Sequence, residues 1–224
     1  MKNNNTYRNL ALAAITFLIA LIGVTAYGSW SANAQTAAPG QDEFALRPPR
    51  GCPRWARPVT INRNPRNPAT PGPMLTSYLQ KITGGDKSKI RNYGQPGSNL
   101  QFADSFDLGH CRLCAAKLEF TLTREPGQAD NDGFHVYLEP DTVPLTLPAP
   151  IFTTGANLWT MFPNGRPTVE WGKFFTNTGQ ASAQRPISEL NNYIFNSQLL
   201  TPLLSTYIQD DTKIVSSRLT VWTY

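Results

Sequence analysis

Two short runs of the chain concentrate oxygen donors: Asp130, Asn131 and Asp132 in one, Asp210 and Asp211 in the other. Calcium takes about six to eight oxygen ligands, and such runs can supply them. No EF-hand spacing accompanies them, and the same residues serve ordinary turns. Asp104 and Asp107 are further carboxylates upstream. Trp159, Trp171, Trp222 and Tyr137 could give sugar rings a stacking platform, although aromatic residues also fill the cores of sandwiches. Glu119, Glu139 and Glu170 lie on extended segments, and Glu170 stands beside Trp171. Glycoside cleavage needs two such carboxylates facing one sugar.

The three cysteines are Cys52, Cys111 and Cys114. His110-Cys111-Arg112-Leu113-Cys114 contains C-x-x-C, but a strand pattern follows it and no helix is signalled, so the thioredoxin-like setting is missing. With Cys52 and His110 the donor types would suit zinc, although adjacent His110 and Cys111 are awkward joint ligands. Three cysteines form at most one pair. Cys52 with Cys111 or Cys114 would fasten an N-terminal arm to the body; Cys111 with Cys114 is the rival. His135 falls on the polar parity of its strand. No G-x-S-x-G elbow, HExxH, P-loop or G-x-G-x-x-G occurs, which removes the usual signatures of hydrolase, zinc-protease and nucleotide chemistry.

These groups must be positioned by elements, and the chain begins with an export signal. Lys2 and Arg8 precede an apolar run from Leu10 to Val24, and Ala32-Asn33-Ala34 ends the segment in a small-residue site. The expectation is cleavage after Ala34, which places the mature protein in the periplasm or outside the cell, where disulfides are permitted. The run is about 15 residues, short of the roughly 20 that span a bilayer. Extended by Ala26 to Trp30, it could instead remain as an uncleaved anchor.

Residues 35–73 hold nine of the 19 prolines, and Arg47, Arg50, Arg54, Arg57, Arg63 and Arg66. Proline at that density excludes helix and sheet interior, so the reading is an extended arm, suited to an anionic surface polymer or to simple linkage. The arm lacks the interleaved aromatics of a single-strand nucleic-acid binder, and no specific nucleic acid is expected. The net charge of +5 resides in the signal and arm, because acids and bases nearly balance from Met74 onward.

Residues 74–224 read as one domain. Met74 to Leu79 could form a helical turn or two, ended by Gly84-Gly85. Leu100, Phe102, Phe106 and Leu108; Leu118, Phe120 and Leu122; Phe134, Val136 and Leu138; and Leu219 and Val221 each alternate with polar neighbours. Period two marks strands with one buried face. Leu158 to Phe162, Thr168 to Trp171 and Leu203 to Ile208 are further strand candidates, with Pro163-Asn164-Gly165 as a turn. Ile187, Leu190, Tyr193 and Ile194 predict one short helix. Short strands with frequent turns predict an all-β, antiparallel sandwich.

Phe102-Ala103-Asp104-Ser105-Phe106, Lys117-Leu118-Glu119-Phe120, Asn131-Asp132-Gly133 and Tyr207-Ile208-Gln209-Asp210-Asp211-Thr212 with Ser217-Arg218-Leu219-Thr220-Val221 resemble the first and last strands of secreted bacterial jelly-roll domains, among them carbohydrate-binding modules. The resemblance covers residues 99–139 and 203–224. It implies a jelly roll and a structural calcium, with Asp130, Asp132, Asp210 and Asp211 as candidate ligands. The function expected is a secreted, non-catalytic module that binds a glycan or cell-surface component. An assembly subunit that self-associates through the arm or an edge strand is the alternative, and a glycoside hydrolase the second.

Overall fold

The computed structural model describes residues 47–68, 70–97, 100–125, 131–140, 147–175 and 182–224. All of them fall in one unit, Phe44–Tyr224. The signal segment lies outside the described residues.

The elements run β1 (Arg57–Arg63), α1 (Pro73–Ile82), a 3-10 turn (Lys87–Lys89), β2 (Leu100–Asp107), β3 (Leu113–Thr123), β4 (Phe134–Leu138), β5 (Phe152–Thr153), α2 (Leu158–Met161), β6 (Thr168–Gly172), β7 (Ser182–Pro186), α3 (Ser188–Asn196), β8 (Leu203–Asp210) and β9 (Lys213–Thr223). They form a sandwich of a five-stranded sheet, β1-β9-β3-β6-β7, and a four-stranded sheet, β2-β8-β4-β5. The alternating apolar residues meet between the sheets: Leu118, Phe120, Val169, Leu219 and Val221 from one, Phe102, Phe106, Phe134, Val136, Leu204 and Ile208 from the other. Phe120 and Phe134 touch edge to face across the gap, their centroids 5.2 Å apart.

Four expectations are corrected. Leu158 to Phe162 begins as the short helix α2, because Met161 N and Phe162 N bond back to Asn157 O and Leu158 O. The described residues hold three α-helices, where the spacing predicts one short helix and a helical turn or two at Met74 to Leu79; that turn extends to the ten residues of α1. The sheet is not wholly antiparallel: β7 runs parallel to β6 from Thr168↔Ser182 to Gly172↔Pro186. Period two is the same in either orientation, so it carries no signal of direction. Finally, the four-stranded sheet buries both faces. Ala103, Tyr137 and Tyr207 point away from the sandwich core and are covered by Met74, Leu75 and Leu79 of α1.

β1 comes from the proline-rich stretch. It pairs with β9 along all seven residues and forms an edge of its sheet. Pro58 has no amide hydrogen to donate, which an edge tolerates. Before it, residues 49–56 cross the outer face of β3 and β9, where Cys52 and Ala56 pack on Cys114, Ala115 and Trp222.

Candidate functional site

The predicted donors Asp132, Asp210 and Asp211 come together where β8 turns into β9. Asp210 adopts a φ of 75°, a left-handed conformation that Asp tolerates better than most residues. Asp132 is 1% exposed. Its Oδ1 accepts Asp211 N–H at 3.2 Å; its Oδ2 accepts Trp159 Nε1–H at 3.3 Å and the Thr212 hydroxyl. One oxygen from each aspartate lies within 4.8 Å of the others, a cluster that could hold a metal ion. A buried cation already lies near it. Arg91 donates from Nη1 to Gly97 O at 3.3 Å, while its Nε and Nη2 have no hydrogen-bond partner among the described residues. Burial pushes its guanidinium down to about 10, and the three aspartates oppose that shift. A metal ion here would share those carboxylates with Arg91. Asp130 lies outside the described residues. Asp107 Oδ1 accepts Gly109 N–H at 2.6 Å in a turn.

Asp104 belongs to a separate interior cluster. Its Oδ2 accepts the Tyr93 hydroxyl at 2.5 Å, Tyr93 also contacts Ser217 Oγ at 2.5 Å, and Arg63 Nε lies 3.9 Å from Oδ1. Burial raises the Asp104 carboxyl to about 6 despite the hydrogen bond and the arginine.

The four predicted stacking aromatics do not form one surface, and Trp222 is 6% exposed beside Cys52 and Ala56. Trp171 is 1% exposed in the sandwich core and Tyr137 is 5% exposed beneath α1, so neither offers a free face in this structure. Trp159 is half-buried and fixed by its indole N–H to Asp132 and Thr212. His135 is half-buried against Tyr137 and Tyr207, and burial pushes its imidazole down.

The strand carboxylates have structural partners. Glu139 is 1% exposed and meets the start of α1. It accepts Met74 N–H at 3.3 Å, Ser105 Oγ–H at 3.1 Å and Ser205 Oγ–H at 2.6 Å, using the positive end of the helix. Gly72 is required beside it, because a Cβ there would stand 2.2 Å from Oε1. Glu119 and Glu170 flank Lys117 Nζ at 2.9 and 3.9 Å, and Arg218 Nη2 holds Glu119 at 2.9 Å. A hydrolytic acid pair there would first have to shed these cations.

Cys52 and Cys114 are joined by a disulfide with Cα atoms 5.2 Å apart, and Cys111 is free and exposed. The arm is therefore stapled to β3. This pairing takes two of the four residues considered for zinc, while His110 Nε2 bonds Leu200 O at 2.5 Å.

That staple helps to build a surface that the periodicity does not predict. On the outer face of the five-stranded sheet, Ala115 and Trp222 underlie a small, shallow groove of about 50 Å³, with Phe174, Phe175 and Pro49 beside them and Lys117 and Glu170 also lining it. Phe174 is 51% and Phe175 41% exposed. Arg50 and Lys173 lie 5.7 and 5.6 Å from the Phe174 centroid. At the nearby end of β9, Trp55 packs edgewise on Tyr224 and Arg112 lies 5.2 Å from the Tyr224 ring. Trp171 and Trp222 both line the groove, and neither indole N–H has a hydrogen-bond partner among the described residues. No family model, curated protein or solved structure matches this chain.

The groove had one legible signal. Gly172-Lys173-Phe174-Phe175 puts two adjacent aromatics just after a strand, where alternation cannot turn both inward. The contribution of Arg50 and Trp55 depends on the disulfide and could not be read from spacing.

Proposed function

We propose that this chain is an exported, non-catalytic β-sandwich module that binds a glycan or cell-surface component on the outer face of its five-stranded sheet. One observation carries the reading: Phe174 and Phe175 stand exposed beside a groove floored by Ala115 and Trp222. A concave apolar site ringed by a few polar groups is the usual form of a ligand pocket. The ion pairing of Glu119 and Glu170 with Lys117 favours binding over hydrolysis. The disulfide fits an oxidising compartment, in keeping with the export signal. No helix among the described residues is long and apolar enough to cross a membrane.

Within the same proposal the strands follow a jelly-roll path, and the Asp132, Asp210 and Asp211 cluster takes a structural calcium. Self-association through an edge strand is less favoured, because Pro58 on β1 and Pro186 on β7 interrupt donor rows at the two edges of the larger sheet. The test is a glycan array probed with the full chain and with Phe174→Ala and Phe175→Ala. Binding lost in both variants, with unfolding temperatures unchanged, is expected. Retained binding would remove the groove from the account.

A further inference from the structure

We propose that the ligand of this groove is an acidic polysaccharide, one whose sugar rings carry carboxylates, an inference that rests on the glycan reading above. Charge is unevenly distributed on this face. Arg50 and Lys173 at Phe174 and Arg112 at Tyr224 are all exposed, and none is ion-paired with a carboxylate among the described residues. Exposed cations left unpaired together make a positive field that concentrates anions.

Two of these cations lie within 6 Å of the exposed Phe174 ring. A carboxylate held by Arg50 or Lys173 is therefore beside an aromatic surface, which suits the C–H face of the sugar that bears it. An arginine fork is also matched to a carboxylate in shape.

The groove is not uniformly positive. Lys117 and Glu170 lie 3.9 Å apart along it, and Glu119 holds the far side of the same lysine at 2.9 Å. Carboxylates accept hydrogen bonds from hydroxyls, which a sugar polymer offers on every ring and a polyphosphate backbone lacks. The mixture of free cations, an apolar floor and an acid-bearing end fits a polymer that offers both carboxylates and hydroxyls. It fits a polyphosphate backbone less well.

The experiment titrates the full chain with three probes of matched length: a galacturonate hexasaccharide, a neutral glucose hexasaccharide and a single-stranded DNA hexamer. Wild type is compared with Phe174→Ala and with the Arg50→Gln, Lys173→Gln double variant, and unfolding temperature serves as the control for folding. The galacturonate hexamer is expected to bind, more weakly as salt rises. The double variant is expected to lose about 10-fold in affinity, or about 1.4 kcal/mol. Phe174→Ala is expected to lose at least as much.

If the neutral hexamer binds equally well and the double variant binds like wild type, the acidic ligand is overturned and the glycan site stands. If DNA binds as tightly as galacturonate, the acidic-polysaccharide assignment falls to a general polyanion site. If no saccharide binds, both the inference and the proposed function fall.

Discussion

Breaking the Cys52–Cys114 disulfide should weaken both the fold and the binding face. The bridge closes a loop with a sequence separation of 62 residues, which contains β1, α1 and β2. Chain-entropy arithmetic for a loop of that length gives about 4 kcal/mol of stabilisation at 25 °C. Residues 49–56 would also lose their covalent hold on β3, leaving the packing of Cys52 and Ala56 on Ala115 and Trp222 and the contacts of Arg50 with Phe174 and of Trp55 with Tyr224. The pairing of β1 with β9 begins at Arg57, so it restrains the segment from one side only. The perturbation is the Cys52→Ser, Cys114→Ser double variant, followed by urea unfolding with tryptophan fluorescence. The expected loss is about 4 kcal/mol with an altered denaturant slope, together with weakened glycan binding as Pro49 leaves the groove and Arg50 leaves the Phe174 ring. Cys111→Ser should change neither, because Cys111 is already free. A double variant that unfolds at the wild-type urea midpoint would refute the reasoning.

Three other outcomes follow from the buried polar groups. Asp104 has a folded pKa of about 6 against an ordinary value of 3.8, so the native state binds its proton more tightly than the unfolded state. Its contribution is greatest below the unfolded value and declines as pH rises through 6, by about 3 kcal/mol in all. Stability curves from pH 4 to 7 should therefore shift in favour of Asp104→Asn as pH rises; parallel curves would contradict this. At the start of α1, Gly72→Ala should cost about 2–4 kcal/mol in thermal or urea unfolding, because its Cβ would meet the Glu139 carboxylate. Gly84→Ala has open space around it and should cost only about 1 kcal/mol, through its positive φ. Calcium at about 100 times its dissociation constant should stabilise the fold by about 2.7 kcal/mol, an effect reversed by chelator and diminished in Asp210→Asn. An unfolding temperature indifferent to calcium would remove the ion from this cluster.

The strands were legible because alternation is a local property. Leu118, Phe120 and Leu122 are all buried between the sheets, as their spacing requires. The second buried face was not legible, because Ala103 and Tyr137 look like outward residues until α1 is laid over them. The direction of β7 leaves no mark in a period of two, and Leu158 to Phe162 carries enough apolar residues to pass for either element. Tyr137, Trp159 and Trp171 have the right chemistry for stacking, but their exposure is decided by elements distant in sequence. Asp132, Asp210 and Asp211 were legible as a pair of oxygen-rich loops, since antiparallel pairing of β4 with β8 brings the two loops to one end of the sheet. Arg91 was not, because nothing in its neighbours marks a buried arginine.

The most direct test of the binding face is hydrogen–deuterium exchange of the full chain with and without a bound glycan. Protection is predicted in residues 49–56 and 172–175, with no change in residues 134–138 beneath α1. Protection confined to the opposite, four-stranded sheet would contradict the account.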